Sequence, residues 1–416
     1  MVYLFSALII ITILVSWKYI LRLEPAGIFA ALWIFMGVST LLLQDYIDLR
    51  FTGCAFVMAG VIFFACGTIF SDYFYRPTPS ESHLELKKQW VRPLLIILLI
   101  GAMVNPIYSI ILHGFSLRAL LDMREVLEMN KGISEDRYAG AEASNVVNQF
   151  FLIFSYATPV IGGLCYRLVG KFDKVLCVIT LIPCTFIALT QSLKMGMIAS
   201  FILFFAAYIV SSYTYGLSIR LKGKIILRFV LIIAGFLGTL FISMVFRTGE
   251  VSQKTILQIS EKFVSYALGH MHNVDFWFTS YQPTELTWGS RTFLGISNLL
   301  GIQERVQGIY PEFNNVGKNG FFGISNTFTI FRPLVEDFGE AGAMVAMFVM
   351  GVIANMSLKA VIAHRFVYFN QMVLVAIFAY LLWSFSASFY AYTTYLAMFA
   401  LVYILFRLIQ TKVSPC

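Results

Sequence analysis

The sequence predicts an all-α fold: a polytopic membrane bundle of about eleven transmembrane helices, with one large loop between the eighth and the ninth. The 416 residues are 59% hydrophobic and 12% charged, with a mean hydropathy of +0.79, whereas soluble domains carry about 25% charged residues. Apolar runs of about 20 residues, long enough to cross a bilayer as a helix, recur along the whole chain. No polar segment is long enough to form its own core, so residues 1–416 are predicted to form a single membrane domain.

The apolar runs define the predicted spans. They cover about residues 2–17, 26–43, 51–70, 93–112, 146–166, 175–192, 195–214, 228–246, 338–358, 366–385 and 388–406. The first is predicted to be a span and not a cleaved signal peptide, because no basic residue precedes it and Lys18 and Arg22 follow it. All cysteines except Cys416 lie in apolar runs and none forms a CxxC pair, so buried thiols are expected instead of disulfides or metal ligands.

The distribution of Lys and Arg predicts the orientation. One set of alternate short connections is basic throughout, as at Lys87 and Lys88 or Lys171 and Lys174. The opposite short connections carry only Arg50 and Lys194. Because Lys and Arg accumulate in cytoplasmic connections, the N-terminus is predicted outside, the C-terminus inside, and residues 113–145 and 247–332 outside. The net charge of +8 therefore reports topology and does not indicate nucleic-acid binding.

No charged residue falls in the middle of a predicted span. Ion-coupled carriers and pumps usually place ionisable groups there. The pattern favours an enzyme acting at the outer membrane face over a transporter.

The first outer loop, residues 113–145, is predicted to contain an amphipathic surface helix. Ser116 can cap a helix that runs to about Met129 and is ended by Asn130 and Gly132. The helix is expected to lie on the membrane surface, where it could form one wall of a substrate groove. A solvated connector with paired charges is the alternative.

The large outer loop, residues 247–332, is predicted to carry the active site. Arg247 and Glu250 follow the eighth span. His270, His272 and Asp275 come next, and if this part is helical His272 and Asp275 share a face. A His oriented by a carboxylate is a common general base. The same three residues form only a weak metal pattern, because no further His or carboxylate lies nearby.

Two further cations belong to the same predicted surface. Arg291 lies in the stretch Gly289–Phe293, before an apolar stretch that is too short to span. Arg332 precedes Pro333, which suits the start of the helix that becomes the ninth span. A helix N-terminus with an Arg favours phosphate groups. Lys194, alone in a short outer turn, is expected to snorkel to the interface or to reach a phosphate.

These residues carry a resemblance to the bacterial O-antigen polymerases, which join oligosaccharide repeat units. The layout is similar over nearly the whole chain. The motif-like stretches are Gln191–Lys194, Val274–Phe276, Gly289–Phe293, and Asn326–Thr329 continuing through Arg332-Pro333 to Asp337-Phe338-Gly339. The last is the most specific, and the first departs from the family pattern because Lys194 stands where Arg is commoner.

The resemblance implies a glycosyltransferase at the periplasmic face of the bacterial inner membrane. It would move a growing glycan from undecaprenyl pyrophosphate onto the sugar of an incoming lipid-linked repeat unit, with no cofactor, metal or nucleotide sugar. Arg291 and Arg332, supported by Arg247, would hold the pyrophosphate, and His272 or Asp275 would act as base. Substrate-binding candidates are Lys194, Glu250, His270, Asn326 and Asp337. A flippase and a chain-length regulator are expected partners.

Two other functions fit the same layout. An O-antigen ligase would use the same donor but transfer the glycan to lipid A–core. A flippase or transporter of lipid-linked sugar belongs to a different class, and the large polar outer loop and uncharged spans disfavour it.

Overall fold

The computed structural model describes residues 1–138, 146–217, 223–248, 252–282, 285–303, 310, 312–318 and 323–414. Within this part, eight helical segments are long and apolar enough to cross a membrane. Shorter apolar helices cover Ile233–Thr248, Val367–Trp383 and Thr393–Ile409. The chain is thus an all-α, multi-pass membrane protein, as predicted, and the count of eleven spans stays a prediction.

The helices in chain order are α1 Val2–Arg22, α2 Pro25–Leu42, α3 Thr52–Phe74, α4 Lys88–Leu112, α5 Met123–Tyr138, α6 Val146–Cys165, α7 Lys171–Ile179, α8 Ile182–Gln191, α9 Lys194–Thr214, α10 Gly223–Thr248, α11 Gln253–Ser280, α12 Leu294–Leu299, α13 Phe331–Ile362, α14 Val367–Trp383 and α15 Thr393–Ile409. Four short strands accompany them: β1 His83–Leu86, β2 Asn314–Asn315, β3 Ile324–Ser325 and β4 Gln410–Val413. Every predicted span falls on a helix, and the run 175–192 is divided between α7 and α8, where Pro183 stands in the first turn of α8.

The chain folds as two compact units. The first comprises residues 1–80 and 261–396, and the second comprises residues 81–260 and 397–416. In the second unit α4, α6 and α9 pack together, and β1 pairs with β4 in antiparallel register. In the first unit α3 packs along α13, with α1, α2 and α14 around them.

Cys54, Cys165, Cys177 and Cys184 are buried free thiols, as predicted, whereas the free thiol of Cys66 is exposed.

The close packing of α3 and α13 depends on glycine. A Cβ atom added to Gly351 would lie 2.0 Å from the carbonyl oxygen of Phe64, and one added to Gly67 would lie 2.0 Å from that of Phe348. Small residues at such positions let helix backbones approach closely in a membrane.

Replacing Gly351 by valine is therefore expected to destabilise the first unit. The obstructing atom belongs to the backbone and cannot rotate away, so the cost should reach the upper part of the overpacking range, about 3 kcal/mol. Thermal unfolding of the detergent-purified protein measures it. Gly235→Val in α10 is the matched control, because a Cβ there meets nothing within 4 Å. Equal melting temperatures for the two variants would contradict the packing role of Gly351.

The first outer loop differs from the prediction. Ser116 does act as a cap, since its hydroxyl accepts from the Arg118 N–H at 3.2 Å, but it caps a short 3-10 helix over Leu117–Leu121. A separate helix, α5, then continues through Asn130 and Gly132 to Tyr138. The predicted end at Asn130 was wrong.

Tertiary contacts explain the continuation of α5. The Asn130 side chain is buried, and it donates to the carbonyl oxygen of Leu189 and accepts from the Ser192 hydroxyl. Met129 and Ile133 pack against Ile110 of α4. These contacts outweigh the weak intrinsic tendency of Asn and Gly to end a helix. Residues 139–145 of this loop lie outside the described part.

The described part of the large loop contains two helices. It contains α11, which is 28 residues long, and the short apolar stretch after Arg291 forms α12. His272 and Asp275 both lie in α11, so they share a helix face as predicted.

A backbone break at Gly339 divides α13 into two segments. Gly339 has φ 71° and ψ 175°, which separates a short first segment from the long apolar remainder. Glycine adopts this backbone conformation without steric cost. The carbonyls of Glu336 and Asp337, at the end of the short segment, accept from the N–H groups of Thr287 and Trp288 at 3.2 and 3.1 Å. These two hydrogen bonds hold the loop that carries Arg291 against the short first segment of α13.

Candidate functional site

The first unit contains most of the predicted site residues. These are His270, His272, Asp275, Arg291, Asn326, Arg332 and Asp337. Arg247, in the last turn of α10, and Lys194, the first residue of α9, are half-buried residues of the second unit. Glu250 lies outside the described residues.

Asp275 holds the start of α3. Its carboxylate accepts from four backbone N–H groups, those of Arg50 at 2.6 Å, Phe51 at 2.9 Å, Gly53 at 2.8 Å and Cys54 at 3.4 Å. The first turn of a helix leaves such donors unpaired, and a carboxylate there also complements the helix dipole. The geometry favours a structural role for Asp275 over that of an active-site base.

Replacing Asp275 by alanine is expected to cost about 2–3 kcal/mol of unfolding free energy, because several buried N–H groups lose a charged acceptor. Thermal unfolding in detergent checks this. His272→Ala, one turn away on α11, is the comparison and should melt close to the wild type. An Asp275→Ala protein of unchanged stability would contradict the capping role.

His272 is oriented by its neighbour Asn273. The Asn273 amide nitrogen donates to the carbonyl oxygens of Ser325 at 3.2 Å and Thr327 at 2.9 Å, which fixes its side-chain oxygen toward His272 Nδ1 at 3.3 Å. That oxygen can only accept, so the proton of a neutral His272 ring lies on Nδ1. Nε2 then carries a free lone pair. Burial lowers the pKa of His272 below its ordinary value of 6.5, which favours this neutral base form.

His272 lines a polar cavity of about 590 Å³. The segment between α2 and α3 and the segment 312–318 form its walls, joined by the Lys318 N–H bond to the Tyr46 carbonyl oxygen at 2.9 Å. Buried Ile47 packs on Val316 beneath them. The lining side chains include Asp48, His272, Phe276, Phe313, Asn314 and Lys318.

Arg332 occupies an aromatic and acidic enclosure. Its guanidinium binds both oxygens of Glu312 at 3.0 Å, and its Nε donates to Glu336 at 2.9 Å. The rings of Tyr310 and Phe328 lie 3.8 and 4.2 Å from the guanidinium carbon. The Arg332 side chain is only 7% exposed, whereas that of Glu312 is 52% exposed. Glu312 thus closes the solvent side of the arginine, and this ion pair holds the pKa of Glu312 below its ordinary value.

Arg291 joins the same cluster through Glu336. Its Nε lies 3.8 Å from the second carboxylate oxygen of Glu336, and its side chain is 46% exposed. Asp337 positions it by accepting from the backbone N–H groups of Arg291 at 2.9 Å and Thr292 at 2.7 Å and from the Thr287 hydroxyl at 2.6 Å. The structure therefore gives Asp337 a positioning contact.

The remaining two candidates are His270 and Asn326. His270 is buried, with its ring edge-on to that of Phe385 at 5.1 Å. Asn326 is half-buried in the stretch that holds Asn273 in place. Among the described residues, no group of three or more His, Cys, Asp or Glu side chains could hold a metal ion.

Sequence reasoning missed Glu312, Tyr310, Asp48 and Lys318. Glu312 lies 20 residues before Arg332 and Asp48 lies in the connection between α2 and α3, so no local spacing marks either. Asn273 lies next to His272 in the sequence, but its role depends on the carbonyls of residues 325 and 327. Comparisons with protein-family models, with curated proteins and with solved structures gave no match to this chain.

Proposed function

We propose that this protein polymerises lipid-linked oligosaccharide repeat units by glycosyl transfer from a polyprenyl pyrophosphate donor. The observation that carries the proposal is the meeting of Arg291 and Arg332 on one carboxylate, that of Glu336. A pyrophosphate leaving group needs several cations held in place before it departs. Two arginines that are 41 positions apart in the sequence supply that arrangement beside the N-terminus of α13, where the helix dipole also favours an anion.

The donor would enter by exchange with Glu312. The carboxylate of Glu312 binds Arg332 through two parallel N–H bonds, the geometry in which arginine also binds phosphate. Glu312 is half-exposed and lies on a short segment, whereas Glu336 is held in α13. A pyrophosphate could take the place of Glu312 on Arg332 and still reach the exposed Arg291.

The charge distribution of the first unit supports an outer location for this site. Asp275 holds the Thr52 end of α3, close to the site. At the other end of α3, Asp72 binds Lys359 at 3.0 Å and Lys18 at 3.6 Å. A helix of 23 residues is about 34 Å long, so these lysines lie a bilayer's thickness from the site. The positive-inside rule then supports a cytoplasmic face for the lysines and a periplasmic face for the site.

A ligase that transfers the glycan to lipid A–core is the second candidate, because the cation cluster suits the same donor. A flippase for lipid-linked sugar is the third. The fixed base at His272 favours chemistry over transport.

A gel of surface lipopolysaccharide from cells that lack the chain, beside a complemented strain, tests the proposal. We expect the ladder to collapse to core plus one repeat unit and to return on complementation. Bare core would instead indicate ligation or export. An unchanged ladder would reject polymerisation of this glycan.

A further inference from the structure

The cavity beside His272 has the composition of a site for an uncharged polyol. Its only full charges among the described lining residues are one carboxylate, Asp48, and one ammonium, Lys318. The two cancel, and a neutral His272 leaves the balance unchanged. A phosphate would face the carboxylate of Asp48 at close range and lacks a second fixed cation there, whereas sugar hydroxyls can donate to Asp48 and accept from Lys318.

The apolar part of the lining suits a sugar ring as well. The Phe276 and Phe313 side chains are 50% and 58% exposed, so their ring faces are open to a ligand. Phe276 also stacks on His272, with ring centroids 6.2 Å apart and planes inclined by 14°. An aromatic face packs against the C–H side of a pyranose while the hydroxyls at its edge reach polar groups such as the Asn314 amide.

Two elements each carry a residue that lines the cavity and a neighbouring residue that contacts Arg332. On α11, Phe276 lines the cavity and the next residue, Trp277, has its ring 5.3 Å from the guanidinium carbon of Arg332. On the segment 312–318, Phe313 lines the cavity and the preceding residue, Glu312, binds Arg332. The cavity and the arginine cluster are therefore built on neighbouring residues of the same two elements.

We propose that this cavity binds the terminal sugar of the acceptor repeat unit and presents its hydroxyl to His272. The binding of a saccharide stands on the cavity alone, and the transfer step rests on the proposed function. In that step the acceptor hydroxyl oxygen forms a bond to the anomeric carbon of the donor, whose bond to the pyrophosphate oxygen breaks. The pyrophosphate leaves with the electron pair toward Arg332 and Arg291, and the hydroxyl proton passes to Nε2 of His272.

The test uses the purified full-length chain in detergent. The probe is the repeat-unit oligosaccharide of the host surface glycan, freed from its lipid by mild acid, and binding is measured by saturation-transfer NMR. Asp48→Asn and Phe276→Ala should each weaken binding at least tenfold, and both sites are exposed enough to leave folding intact. Asp45→Asn, in the same connection, and Phe369→Ala, 54% exposed on α14, are matched controls expected to bind as the wild type does.

The outcomes separate the two proposals. Absence of binding to the wild type, or equal binding by Asp48→Asn, Phe276→Ala and the controls, overturns the acceptor site, even if cells still need the chain to make a ladder. Binding that is lost in both variants while the cellular ladder is unaffected by deletion of the chain keeps the saccharide site and rejects polymerisation.

Discussion

Replacing Arg332 by alanine is expected to abolish polymer longer than one repeat unit. The guanidinium is the most enclosed cation of the site, and loss of one preorganised charge that stabilises a leaving group typically costs 10²–10³-fold in rate. The same change leaves Glu312 and Glu336 without their buried partner, which costs about 3–5 kcal/mol of stability. Loss of polymer from this variant alone could therefore reflect unfolding.

Two further variants separate chemistry from folding. Arg332→Lys keeps the charge but loses the two-pronged contact, and Arg291→Ala removes a half-exposed side chain whose only described ion pair is a distant contact with Glu336. Both should insert normally and produce at least tenfold less long-chain polymer on the gel. Arg92→Ala is the matched control, because it breaks a 2.7 Å ion pair with Asp173 in the second unit. Wild-type ladders from both Arg332→Lys and Arg291→Ala would remove the arginines from the mechanism.

Replacing His272 by glutamine is expected to lower the rate of glycosyl transfer 10²–10⁴-fold, the usual contribution of a general base. Membrane insertion should be unaffected, because the ring makes a single described hydrogen bond, to Asn273. Asn273→Asp should keep the His272 ring but favour its protonated form. A carboxylate beside Nδ1 favours the protonated imidazolium and would raise the pKa of His272.

The dependence of the transfer rate on pH tests the role of His272 as the base. Burial lowers the pKa of His272 below 6.5, so the ring is neutral at pH 7 and remains a base as the pH falls below 6.5. Activity should be lost only as the pH drops through the lowered pKa. Folding stability should also decline below pH 6.5, because the unfolded chain binds that proton more readily. Rates measured from pH 5 to 8 should show this acid limb in the wild type, at higher pH in Asn273→Asp, and not in His272→Gln. An unchanged profile in all three would exclude His272 as the base.

The membrane class could be predicted from sequence because it depends on composition alone. A run of about 20 apolar residues has few alternatives to a spanning helix, and each predicted run lies on a helix. The end of α5 could not be predicted, because buried Asn130 contacts residues 59 and 62 positions away. Likewise, nothing local to Gly339 shows that it would divide α13, since its unusual backbone depends on the loop that binds Glu336 and Asp337.

Some members of the candidate site could be singled out from the sequence, but their arrangement could not be predicted. Arg291 and Arg332 were found from their residue type and position, yet their common carboxylate joins segments far apart in the sequence. The i, i+3 spacing of His272 and Asp275 predicted a shared helix face, but the N–H groups of α3 outcompete the imidazole for that carboxylate. Asn273 holds His272 instead, through a tertiary contact with the stretch before α13.

The most direct test of the central proposal is reconstitution of the purified chain with one polyprenyl-pyrophosphate-linked repeat unit as sole substrate. We predict lipid-linked products of two and more repeat units, with one free polyprenyl pyrophosphate released for each glycosidic bond formed, and at least tenfold less of both products from Arg291→Ala. Intact substrate after incubation with protein that has folded and inserted normally, and that also binds the donor, would contradict polymerisation.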